Sequence, residues 1–305
     1  MPRGRFTEKR ASGSSPNSIP RLIGPSIVKV LVGPDSHEFV IPRKLMISCQ
    51  YFRQRIDTAR IEIEKGQPHL VMALEDECPD MFELFAYWVN VRRNFDRFID
   101  AAVADHSCKE LQADLVSLHL FAAQIDIPAL QDCAMDAIQD VYLRCNWDIS
   151  PKLIKYVYTS CDPQESCRLR KWIVAMTAWT LGGVVAPDMS KSIQLLFEQC
   201  PDFWAEYNSH TRKMKQSGLE SHFKNPQLRL PSNNLRNEER QFGFRQCSFH
   251  THRSTAGQRR CPHATSFSPL VPSPYTDGYV ESDSDRGESR FGSRLVSPSS
   301  DTIPE

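Results

Sequence analysis

The chain has 305 residues, of which 40% are hydrophobic and 24% charged, and its 37 basic side chains balance 37 acidic ones. That length leaves room for one or two domains. With zero net charge and no apolar run near the roughly 20 residues of a membrane span, the composition argues against a membrane-spanning protein and against nucleic-acid binding driven by overall charge.

Apolar residues crowd between about Ile27 and Tyr207, whereas the flanks are rich in Ser, Pro, Arg and Asn and carry little periodic apolar pattern. By count, the central region holds roughly eight more acidic than basic side chains and the flanks roughly eight more basic than acidic. The cysteines are scattered singly from Cys49 to Cys261, several at apolar helical positions where a reduced thiol serves as a small hydrophobe. A reducing compartment is therefore expected. Residues 1–25 hold no apolar stretch of signal-peptide length, so the expected location is cytoplasmic or nuclear.

Residues 1–25 read as a disordered basic arm carrying Arg3, Arg5, Lys9 and Arg10. Ile27 to Val32 and His37 to Ile41 read as two strands of a hairpin across Gly33-Pro34-Asp35. Pro42 suits the first turn of a short helix through Ile47, and Tyr51, Phe52 and Ile56 mark a second helix from about Gln50. His69 to Leu74 reads as a strand. The acids from Glu75 to Asp80 then precede a helix through Val89.

Residues 91–109 break the pattern and read as a long loop or a short inserted helix. Leu111 to Gln124 and Pro128 to Leu143 are amphipathic helices, followed by three more at Pro151 to Thr159, Ser166 to Leu181 and Ser190 to Tyr207. Beyond Asn208 the periodicity stops, and an unfolded tail is expected.

Phe39-Val40-Ile41-Pro42, then Leu45-Met46, then Tyr51-Phe52-Arg53, stand in the order of a strand, a short apolar helix and an aromatic pair. Together with the acidic turn and Phe-rich helix from Glu75 to Trp88, the helix pair over residues 115–138 and SPKLIKYVYTSC at 150–161, this pattern resembles the BTB/POZ domain in the form met in fungal BTB proteins. The chain departs from the family at Pro42, where a histidine is usual, and in the longer stretch 91–109.

The resemblance implies an α+β fold, a BTB/POZ-like domain over 26–145 with a small β-sheet flanked by a cluster of α-helices; periodicity and composition add a C-terminal helical extension over 146–207 and a disordered tail over 208–305. It also implies a protein–protein interaction module that self-associates as a homodimer and recruits protein partners, in some relatives as a substrate adaptor on a cullin-type ubiquitin ligase scaffold. By analogy a dimer face would draw on Ile27, Val30, Leu45 and Met46, and a scaffold face on Tyr51, Phe52, Met81 and Phe82. Each of these eight is also a natural core residue.

No phosphate-cradling Gly-rich loop, G-x-S-x-G elbow, H-E-x-x-H or kinase motif occurs in the central region, so neither an enzyme nor a resident cofactor is expected. In the tail, Cys247, His250, His252, Cys261 and His263 offer enough donors for tetrahedral zinc. Their spacing fits no common finger, and the run between them holds only Ala256 as an apolar residue. Disorder is therefore the reading taken, with no metal. The competing reading is a nucleic-acid-associated regulator that dimerises through the BTB-like region and touches DNA with its basic tail, through Phe242, Phe244 and Phe249 or through the Cys/His set.

Overall fold

Ile27–Val32 (β1) and His37–Pro42 (β2) form the expected antiparallel hairpin, registered Ile27 opposite Pro42 and Val32 opposite His37. Gly33 makes the turn at a φ of +74°, and a Cβ there would lie 3.0 Å from the Pro79 ring, so both backbone conformation and space call for glycine. The computed structural model describes residues 26–64, 67–182, 187–216, 224–230, 243–245 and 247–254. The arm over 1–25, Phe242, Cys261, His263 and the tail beyond 254 lie outside the described residues.

Two short helices, Arg43–Met46 (α1) and Gln50–Ile56 (α2), carry the chain to Arg60–Glu64 (β3) and Gln67–Leu74 (β4). β4 runs parallel to β1 and antiparallel to β3, giving a mixed sheet in the order β2-β1-β4-β3. β3 was not expected from the sequence. Its Ile61-Glu62-Ile63-Glu64 alternates at the period of a strand, over four residues only.

Pro79–Val91 (α3) follows, and the stretch read as a loop or short helix holds Asp96–Ala104 (α4). Cys108–Gln124 (α5) packs along Pro128–Cys145 (α6), with Pro128 at the first helical position where its missing N–H is harmless. Phe52, Phe82, Phe85 and Phe121 meet as an aromatic cluster with ring centroids 5.1–6.5 Å apart.

Pro151–Thr159 (α7) and Cys167–Gly182 (α8) lie within a residue of two of the expected helices. The last expected helix is two: Pro187–Gln199 (α9) ends before Cys200, and Pro201 opens Pro201–Gln216 (α10), because a proline disfavours helical geometry in the residue before it. The extension shares the core of the preceding region, with Trp172 of α8 fully buried and set edge-on to Tyr142 of α6 at 4.8 Å.

The region expected to be structureless from 208 differs in three places. α10 runs on to Gln216, and Asn225–Leu230 (β5) and Gly243–Arg245 (β6) form a small parallel pair. β5 packs on α6 and α8, and a 3₁₀ turn at Thr251–Ser254 sits against α6. Among the described residues no helix is long and apolar enough to cross a membrane.

Candidate functional site

α6 is buried around nearly its whole circumference, yet carries Asp132, Asp136 and Asp140 at helical spacings of four, which stack on one face. Buried carboxylates need compensating partners. The tail segments supply them. Arg229 of β5 sets Nη2 2.9 Å from Asp140 and Nε 3.6 Å from Asp136, and also donates to the Asp136 carbonyl oxygen. Burial pushes the Asp140 carboxyl up to about 6, against the pull of Arg229.

Gln227 donates to the Trp147 carbonyl at 2.7 Å, and Gln139 donates to the Pro226 carbonyl, so β5 is held by its amides as well as by charge.

One turn toward the N-terminus of α6, His250 Nε2 lies 2.9 Å from Asp136 Oδ1 and His252 Nδ1 lies 3.3 Å from Asp132 Oδ2. Asp132 Oδ1 accepts the Thr251 N–H at 2.7 Å while Arg168 donates to the Thr251 carbonyl at 3.0 Å, so the residue between the two histidines is gripped at both ends. Burial disfavours charge on His250, but the hydrogen bond and charge of Asp136, with the charge of Asp132, outweigh it and hold the imidazole above its ordinary pKa. Cys247 is buried beside them, and Cys247, His250 and His252 bring one donor atom each to within 4.8 Å of one another.

A second feature is a cavity of about 670 Å³ between α8, α10 and the 243–249 region, lined among others by Arg170, Lys171, Glu206, His210, Lys213 and Phe249. Among its lining side chains the cations Arg170, Lys171 and Lys213 outnumber the one acid, Glu206. Burial, with Lys224 and Lys213 nearby, holds His210 neutral by lowering its pKa to about 4.

The residues proposed from sequence as partner contacts fall elsewhere. Val30, Met46, Phe52, Met81 and Phe82 are core side chains, almost fully buried within the chain itself. Ile27, Leu45 and Tyr51 are half-buried, and Tyr51 lies under the Arg55 guanidinium at 3.7 Å. β1, assigned to a dimer face, is an interior strand of the sheet.

Uncovered apolar surface lies instead on β3. Ile41, Val28, Leu70 and Ile61 are successive cross-strand neighbours on one face of the sheet; the first three are buried, whereas Ile61 is 62% and its strand-mate Ile63 77% exposed.

Sequence reading passed over Asp132, Asp136, Asp140 and Arg229. The detectable signal was the acidic stripe itself, three carboxylates one turn apart on a helix whose other residues are mostly apolar. In comparisons with known proteins, no family model, no curated protein and no solved structure matches this chain.

Proposed function

We propose that this chain is a protein-interaction module of BTB/POZ-like fold that works by packing rather than by catalysis, associating with itself and recruiting protein partners. The observation that carries this reading is the row of side chains from Ile41 to Ile61: the face that forms the core under β2, β1 and β4 continues uncovered onto β3, the open end of the sheet. An edge strand presents unpaired backbone groups, and apolar side chains beside them favour addition of another strand or helix. The element order hairpin, helix pair, strand, helix, helix pair adds support through the resemblance. The narrower form, an adaptor that presents substrates to a cullin-type ubiquitin ligase, rests on that resemblance alone.

Cys247, Phe249 and His250 are turned into the molecule, and Phe244 packs against its core. That placement favours protein partners over a tail that stacks on nucleic acid.

Light scattering on the full chain across a concentration series tests the reading. Association that is lost in the Ile61→Lys/Ile63→Lys variant, with the circular dichroism unchanged, is the expected result. A wild-type chain that stays monomeric throughout removes self-association from the proposal.

A further inference from the structure

We propose that Cys247, His250 and His252 bind a single zinc ion that fastens the 243–254 region to α6. One thiol and two imidazoles form the borderline-soft donor set that suits tetrahedral zinc. A tetrahedral ion with ordinary Zn–N and Zn–S bonds holds its ligands about 3.5 Å apart, so the triangle of donors within 4.8 Å has to close by no more than about 1.3 Å on binding.

The local backbone already makes the cluster. A turn closed by the His250 N–H on the Cys247 carbonyl at 3.2 Å brings those two residues together, and the 3₁₀ turn from Thr251 carries His252 round to them. The two imidazole rings stand 5.4 Å apart at 73°, the splayed arrangement of rings that share one ion.

The strongest argument lies behind the histidines. A histidine that binds metal through one nitrogen characteristically gives its other N–H to a carboxylate, which fixes the tautomer and raises the basicity of the ligating nitrogen. Here His250 turns Nε2 to Asp136 and His252 turns Nδ1 to Asp132, residues one turn apart on α6. Nδ1 of His250 and Nε2 of His252 are both buried, and Nδ1 of His250 lies 3.8 Å from Asp132 Oδ2.

The charges are consistent. Coordination releases to solvent the Cys247 thiol proton and, where the His250 ring is charged, its second ring proton; zinc with one thiolate then carries a net single positive charge facing Asp132 and Asp136, while Arg229 sits on Asp140.

The test uses the full chain, expressed with added zinc, desalted and assayed for metal content, then stripped and titrated with Co²⁺ against a competing chelator. Wild type is expected to hold one zinc per chain and to give, with Co²⁺, tetrahedral visible bands and a thiolate-to-metal charge-transfer band. Cys247→Ser removes the charge-transfer band. Asp132→Asn keeps an oxygen acceptor for the Thr251 N–H but removes the charge behind His252, and weakens binding about 10- to 100-fold.

Stripping the wild type raises hydrogen exchange over 247–254, a readout independent of any variant's folding. A folded wild-type chain with zinc well below one per chain, or a charge-transfer band that survives Cys247→Ser, overturns the proposal. So does an exchange pattern that does not respond to metal removal.

Discussion

Replacing Arg229 with alanine withdraws the cation that compensates two buried carboxylates. Arg229 and Asp140 are 2.9 Å apart, with side-chain exposures of 11% and 8%. At that separation and an effective dielectric near 20, unit charges attract by about 6 kcal/mol, much of it offset by desolvation. Removing one partner of a buried pair costs about 3–5 kcal/mol, because the other charge is left uncompensated. Asp140 can escape part of that penalty by taking up a proton, since burial already holds its pKa at about 6.

The expected loss for Arg229→Ala is therefore at the low end, about 3 kcal/mol at pH 8. The loss is pH-dependent with a definite sign. Without Arg229 the Asp140 pKa rises further, so as pH falls through about 6 the carboxyl becomes neutral in both proteins and the penalty shrinks. Urea denaturation of the full chain at pH 8 and pH 5 measures both values. Arg229→Lys, which keeps the charge but loses the planar fork, falls between.

If β5 detaches without global unfolding, the loss appears instead as faster hydrogen exchange over 225–230. Equal stability at both pH values together with unchanged exchange would refute the reasoning.

Two further outcomes follow from the core. His119 is fully buried; Nδ1 lies 3.1 Å from the Gln131 carbonyl and Nε2 3.3 Å from its side-chain amide, contacts that a neutral ring satisfies, and burial lowers its pKa to about 4. Between about 4 and 6.5 the unfolded chain binds more protons at this residue, so the stability difference between wild type and His119→Gln drops by roughly 3 kcal/mol from pH 7 to pH 4; a difference constant with pH counts against the assignment.

Trp172→Ala, which empties a fully buried site against Tyr142, costs about 3–5 kcal/mol by denaturation. Trp172→Phe costs much less, because the indole N–H is buried with no hydrogen-bond partner among the described residues.

The elements legible in the sequence are those whose side chains follow a single period. Val28, Val30 and Val32 alternate into the core, and α5 and α6 announce themselves through Leu115, Leu118, Ala122 and Ala134, Met135, Ile138. β3 was missed although Ile61-Glu62-Ile63-Glu64 alternates, because the run is short and half of it is glutamate, a residue type depleted in strands. The break between α9 and α10 was missed because apolar period continues across Pro201, although the proline itself marked it. The eight contact residues taken from the family pattern were strongly apolar for an ordinary reason: most of them build the core.

The docked tail was illegible for a different physical reason. Compositional rules for disorder ask whether a segment has enough apolar area to offset its ordering entropy, and 224–254 has little. Its described parts are held instead by Gln227, Arg229, His250 and Thr251 on the polar groups of α6, α8 and Trp147. A buried helix cannot keep Asp132, Asp136 and Asp140 uncompensated. Arg229 and His250, both from the basic flank, cover part of the central region's acidic excess. The opposite charge imbalances of the two regions, which composition presents as separate facts, are thus partly one interaction.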